Sequence, residues 1–336
     1  MKRNYTLFIP LFLLLVVAMV SCSNNSRKSD GDNEENATKG IVNVPRFNAD
    51  SAYLYIQAQA DFGPRVPNTT AHKACGNFLA NKLEELGAKV YNQKADLVAY
   101  DNTILKARNI IGSYNPENKR RILLCSHWDS RPYADQDTDE KSHRTPILGV
   151  NDGASGVGVL LEIARLLQQQ APAIGIDIIF FDAEDYGIPS FYKGEYKKDT
   201  WCLGSQYWGR MPHVEGYNAR FGILLDMVGG KNATFYKEQF SQRTAGKYVK
   251  KIWDTAHRLG FGNTFIKEQG TEVTDDHIYV YNLRQIPCVD IINLDPNSDT
   301  GFGDFWHTHD DNMDIIDKNT LNAVGQTVLE VIYNEK

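Results

Sequence analysis

No segment of this chain is apolar for the roughly 20 residues that a membrane-spanning helix needs, and the longest such run, residues 7–20, stops at 14. An excess of positive charge is missing as well. Lys and Arg number 36 against 42 Asp and Glu, a formal net charge of -6. Neither nucleic acid nor anionic lipid is therefore expected as a main partner, because both call for a cationic surface that displaces counterions. Cysteine is sparse, five in 336 residues, and follows no CxxC or finger-like spacing. No HExxH, GxSxG or P-loop motif pulls toward the mechanisms those motifs serve. Internal repeats and the compositions of collagen, coiled coil or bulk disorder are absent too, while 42% hydrophobic and 11% aromatic residues suffice for a full core. A small molecule or a peptide is the expected partner.

The first 22 residues stand apart. Lys2 and Arg3 precede the apolar run, and Ser21 and Cys22 follow it. That pattern predicts a secretory signal, and a small residue directly before Cys22 resembles a bacterial lipobox, in which cleavage precedes a cysteine that is then acylated. A lipid-anchored protein of the cell envelope, periplasmic or outer-membrane associated, is the expected setting. Residues 23–40 are polar, charged and free of large apolar side chains, which predicts a tether. A single α/β domain is expected over residues 41–336. Of its cysteines, Cys125 and Cys288 lie in apolar strand-like runs and read as small buried hydrophobes.

Helix and strand signals alternate through that domain. Asn68, Thr69 and Thr70 offer caps for a helix that Gly87 stops, and helices are expected over residues 153–170 and about 243–259. Short apolar runs at 122–125, 176–181, 223–225 and 288–292 predict strands covered on both faces. The fold class expected is a three-layer α/β sandwich with a mixed sheet between helices. His127 and Asp129 follow the first run, Asp182, Glu184 and Asp185 the second, and Asp226 the third. In open α/β sheets the ligand crevice lies beyond the carboxyl ends of the strands, so three strands are expected to deliver metal-ligand residue types to one edge.

Each polar cluster has a plain reading beside the functional one. The HxD of SHWDSRP (126–132) would serve as a hydrogen-bonded pair, and Asp152, just before a helix, as its N-cap. The three carboxylates of FFDAED (180–185) would conflict unless a cation or separate roles resolve them. TDDH contributes Asp275, Asp276 and His277, and FWHTHDD contributes Trp306, His307 and His309. Histidine and carboxylate without thiolate is the donor set of a catalytic zinc that keeps a position open for substrate. His72, His143, His213 and His257 fall outside these motifs and read as surface or helix-face residues. Asp310 and Asp311 read as caps of the last helix or as groups orienting His307, and His309 stays ambiguous. Trp128, Trp201, Trp208 and Trp253 read as core unless they approach the site.

The order HxD, NDGASG, a carboxylate pair after an apolar strand, LLDM and a late histidine resembles the zinc-dependent exopeptidases related to bacterial aminopeptidases, from about Phe62 onward. Within that family the segments 62–72, 274–287 and 305–314, the doubled aspartate before His277 and the tryptophan before His307 are similar to glutaminyl cyclases. The resemblance implies one Zn2+ held by Asp152, Asp185 and His307. It also implies Glu184 as general acid and base, Asp226 and Asp275 in a hydrogen-bond network beside it, and Trp306 lining the pocket. Two departures stand out. Aspartate occupies position 185 where cyclases commonly carry a second glutamate, and the segment 186–200 is longer than in animal enzymes, leaving Trp201 as the candidate for a second pocket tryptophan. The activity implied is cyclisation of an N-terminal glutamine of peptides or proteins to pyroglutamate with release of ammonia. The alternative is a two-zinc aminopeptidase, since His127 and Asp226, with Asp129 and His277 nearby in type, occupy positions suited to a second metal or a hydrogen-bond network. A non-catalytic binding domain on the same fold would be expected to have lost these donors.

Overall fold

The computed structural model describes residues 42–335; the signal, the tether and Cys22 lie outside the described residues. Four strands in it are buried along their whole length: β3 (Arg121–His127), β4 (Gly175–Phe181), β5 (Gly222–Asp226) and β8 (Cys288–Ile292). This is why the sequence there runs continuously apolar instead of alternating. Two longer strands, β1 (Lys89–Val98) and β2 (Ile104–Tyr114), complete a six-stranded sheet of order β1-β2-β4-β3-β5-β8. β1 with β2 and β2 with β4 are antiparallel, while β4, β3, β5 and β8 are mutually parallel neighbours. β6 (Phe235–Lys237) and β7 (Phe265–Gln269) form a separate parallel pair.

Alternate residues of the strands feed two cores. Leu124, Ile178, Ile223 and Val289 point to the larger one, beneath α2 (Thr70–Glu85), α3 (Ala154–Gln169), α5 (Gln239–Arg258) and α7 (Lys318–Tyr333). α1 (Ala49–Ala60) packs outside, against α3 and α7. Leu123, Cys125, Ile179 and Leu224 point to the other face, covered by α4 (Leu203–Arg210) and α6 (Asp276–Arg284). The result is the three-layer sandwich with a mixed sheet that the alternation of signals predicts. The caps explain the helix limits. Thr69 accepts from the His72 N–H and starts α2, whereas α5 begins at Gln239, four residues before the expected start, because Glu238 accepts from the Phe240 and Ser241 N–H groups. Among the described residues no helix is long and apolar enough to cross a membrane. Cys75, Cys125, Cys202 and Cys288 are buried and free.

His213 sits in an aromatic nest rather than on the surface. Trp208 Nε1–H donates to its Nδ1 at 3.1 Å, and the rings of Tyr91 and Tyr217 lie 5.1 and 4.9 Å away. Burial pushes its ionisation down to about 4, with Asp177 only partly opposing. The folded value lies below the unfolded one, so the neutral ring's contribution is complete above pH 6.5 and is lost as pH falls toward 4. The melting temperature is expected to drop across that window, and His213→Gln to flatten the drop; an equally steep fall in the variant would assign the effect elsewhere.

Candidate active site

Because β3, β4 and β5 are parallel, their carboxyl ends meet at one edge of the sheet, and the chain leaving each carries a polar group there. β3 ends at His127, with Asp129 two residues on. After β4 the chain turns through Ala183, which has a positive φ of 53°, and presents Glu184 and Asp185. β5 ends at Asp226. The start of α3 brings Asp152, and a loop before the short 3-10 turn at Met313–Ile315 brings His307, itself at φ 56°. Of these groups, Asp152, Glu184, Asp185, Asp226 and His307 line a cleft of about 1010 Å3.

Asp152, Asp185 and His307 are buried, and one donor atom of each lies within 4.8 Å of the others. His307 Nε2 stands 3.2 Å from Asp185 Oδ1 and 3.8 Å from Asp152 Oδ2. Both carboxylate oxygens of Asp185 and the Nδ1 of His307 form no hydrogen bond. Buried polar atoms without partners are costly unless something else satisfies them. A carboxylate, a carboxylate and an imidazole converging with orphaned atoms form a donor set that fits a single divalent zinc with a position left for substrate. Burial, and next the charge of Asp152, push the Asp185 carboxyl up to about 6, a conflict that a cation removes. For Asp152, burial is outweighed by the His127 hydrogen bond and the positive groups around it, and the carboxyl stays below its usual range.

A second donor group, His127, Asp152 and Asp226, shares Asp152 with the first. Here the atoms are already engaged with each other: His127 Nε2 is 2.9 Å from Asp152 Oδ1 and 3.3 Å from Asp226 Oδ1. Asp129 stands 3.6 Å from His127 Nδ1 and accepts the backbone N–H groups of Glu184 at 3.1 Å and Asp185 at 3.2 Å. His277 does not join this group. It lies between Glu238 Oε2 at 3.2 Å and Asp290 Oδ2 at 3.6 Å in a buried network on α6 that Asp275 also borders.

Glu184 faces the cleft with little exposure. Cys202 Sγ lies 3.0 Å from its Oε1 and donates to it, and Asp275 belongs to the same close group of donors. Burial first, then Asp185 and Asp275 among its neighbours, push the Glu184 carboxyl well above its ordinary range. Asp275 caps α6 by accepting from the Asp276 N–H while its Oδ2 has no partner, and burial raises it strongly. The third carboxylate of the cluster turns away: Asp182 accepts from His72, whose Nε2 is 2.9 Å from it, and from the Arg108 N–H. His72 is thus buried and stacked on Trp128 at 4.3 Å, not a surface residue. Separate directions resolve the crowding that the sequence shows.

Several plain readings are corrected at the rim. Asp152 makes no cap; the residue before α3 is Gly153, without a side-chain cap bond, because the carboxylate is drawn to His127. Asp311 does not cap the last helix, which Asp317 does. Instead it accepts from the Asn151 and Asp152 N–H groups and fixes the backbone that carries Asp152. His309 turns out to Asp137 and Thr145. Trp128, Trp208 and Trp253 are core. Trp201 and Trp306 line the cleft and enclose the His307 ring, with centroids 5.9 and 3.8 Å from it and planes tilted by 9° and 24°. Cys202, Arg131 and Asp135 have no assigned role in the sequence reading. The signal for Arg131 was its place two residues after Asp129 in the same motif.

The description "Peptidase family M28" matches residues 109–332. A glutaminyl cyclase of Bacteroides thetaiotaomicron bound to N-acetylhistamine is 67% identical and superposes with a TM-score of 0.86, covering 88% of this chain and all of that one. A leucine aminopeptidase precursor of the same organism is 66% identical, with a TM-score of 0.86 and the same coverage. The glutaminyl-peptide cyclotransferase of Drosophila melanogaster is 25% identical over 288 residues, 78% of this chain and 74% of its own length.

Proposed function

Since this chain belongs to peptidase family M28, within the zinc-exopeptidase and glutaminyl-cyclase-like group, we propose that it is an enzyme converting the N-terminal glutamine of peptides or proteins to pyroglutamate with loss of ammonia. The observation that carries the choice is the contrast between the two donor groups. Both carboxylate oxygens of Asp185 are left without hydrogen bonds, whereas His127 Nε2 already bridges Asp152 and Asp226, which supports one ion held by Asp152, Asp185 and His307. The chemistry that ion supplies when bound is Lewis-acid stabilisation of the negative charge developing on the γ-carboxamide oxygen.

Everything else falls to side chains. The nucleophile is the substrate's own α-amine, which forms a bond to the γ-carbonyl carbon as the bond to the carboxamide nitrogen breaks. Glu184 takes the proton released from the amine and gives it to the departing ammonia, a shuttle suited to a carboxyl whose proton affinity burial has raised well above its ordinary range. Cys202 donates to that carboxyl, with Asp275 and Asp226 in the carboxylate network proposed beside it. Trp201 and Trp306 wall the pocket around the glutaminyl group. The proposed setting is a single catalytic domain, residues 41–336, carried by a signal (1–22) and tether (23–40) with a lipid on Cys22, in the bacterial envelope.

Incubation of the zinc-loaded protein with a glutaminyl peptide, with metal content measured alongside, separates the readings. One equivalent of zinc, ammonia and an intact chain lighter by the ammonia lost is the expected result. The aminopeptidase reading is favoured by the shared Asp152, and it predicts two ions and a free amino acid.

A further inference from the structure

Beneath the donor group lies an ion pair that the proposed reaction does not use. Arg131 is almost fully buried, and its Nε and Nη2 donate to the two oxygens of Asp135 at 2.6 and 2.9 Å. This bidentate fork fixes both planes. The remaining guanidinium nitrogen, Nη1, donates to the backbone oxygen of Asp185 at 2.9 Å and lies 3.6 Å from its carboxylate. The guanidinium carbon sits 4.6 Å from the centre of the Trp201 ring, a cation–π contact in a desolvated place. Asp135 in turn has its Oδ1 3.5 Å from His307 Nδ1, while its Oδ2 accepts the Ser190 N–H at 2.7 Å and its backbone oxygen accepts the Ser190 hydroxyl at 2.8 Å. Two donors of the metal group, one pocket wall and the long segment after Asp185 therefore converge on two side chains.

We propose that Arg131 and Asp135 form the positioning unit of the metal centre, orienting His307 and Asp185 toward a common ion and pressing Trp201 into the pocket. The inference rests on the reading of Asp152, Asp185 and His307 as the metal donors. Its physical basis is the need to present Nε2 to a metal. The ring must carry its proton on Nδ1, and a carboxylate facing Nδ1 selects that tautomer and holds the plane. Asp135 faces it without yet closing a full hydrogen bond, and the fork from Arg131 keeps the carboxylate from rotating away. Ser190, in the segment 186–200, reaches back to hold Asp135 from the other side. Lysine at position 131 would keep a charge but lose the fork that serves Asp135 and Asp185 together.

The test is zinc affinity by competition with a chromogenic chelator, on folded protein well below its melting temperature, for the wild type, Asp135→Asn and Arg131→Lys. Asp135→Asn is expected to weaken zinc binding about 10- to 100-fold. Arg131→Lys is expected to weaken it less, with a higher KM for the glutaminyl peptide at saturating zinc because Trp201 loses its planar partner. Arg131→Lys keeps the test available should Asp135→Asn not fold. A wild type that binds one zinc and two variants that bind it equally tightly would overturn the positioning role alone. A wild type that binds no zinc would overturn the metal reading and this role with it.

Discussion

Glu184→Gln is expected to keep its zinc and lose nearly all turnover, with kcat down by about 10²- to 10⁴-fold and KM little changed. Glutamine has the same size as glutamate and can still accept the Cys202 thiol hydrogen at Oε1, so the local packing survives. What it cannot do is accept a proton from the substrate amine. The residue neither belongs to the Asp152, Asp185 and His307 group nor lines it from behind; it stands beside it, fixed through its backbone N–H to Asp129. Metal content and turnover measured on the same sample decide the matter. A variant that turns over at near wild-type rate would remove Glu184 from the proton transfer, and one that has lost zinc would place it among the ligands.

The largest structural effect is expected at Gly156. This residue lies in the first turn of α3, where the helix comes closest to the sheet. A Cβ there would overlap the carbonyl oxygen of Leu225 and the hydroxyl of Ser126, one atom on β5 and one on β3. Neither can move cheaply: the carbonyl is backbone in a buried parallel strand, and Ser126 is wholly buried. Gly156→Ala must therefore push α3 off the sheet or bend β5, at a cost of about 3 kcal/mol. Because α3 is continuous with Asp152 and β5 ends at Asp226, the displacement also reaches the site. Urea unfolding is expected to show the loss of stability, with weaker zinc binding in parallel. A change below about 0.5 kcal/mol, the range of an ordinary surface substitution, would mean that the helix packs further out than described.

How far the sequence disclosed this arrangement depended on whether a feature is local. The strands β3, β4, β5 and β8 were legible because burial on both faces leaves an unbroken apolar run, and α3 because its apolar face repeats at helical spacing. β1 and β2 went unread: from Tyr91 onward β1 alternates half-buried with exposed residues and carries Asn92, Lys94 and Asp96 on its open side. In the site, His127, Asp152, Glu184, Asp185, Asp226 and His307 each follow an element end or sit in a short motif, and they do come together. His277 shares a motif with Asp275 and meets it in a group with Asp290, but it lies against Glu238 and Asp290 and is absent from the groups formed by Asp152, Asp185 and His307 and by His127, Asp152 and Asp226. Cys202 and Asp311, and Asp135 beyond its local fork with Arg131, have meaning through partners farther away in the chain, Glu184, Asp152 and His307. Asp311 looked like a cap because aspartate before a helix usually is one.

The sheet ends differently on its two sides, and this bears on how the protein behaves at high concentration. β8 is buried at every residue, with α5 and α6 packed against it, so it offers no template for another chain. β1 is the open margin, ten residues long and unpaired on its outer side among the described residues. A margin of that length would invite a second molecule to extend the sheet and seed aggregation, but the exposed charges of Lys94 and Asp96 along it oppose such an extension. Resistance to such edge pairing thus rests on the charges of β1, the strand farthest in the sheet order from β8.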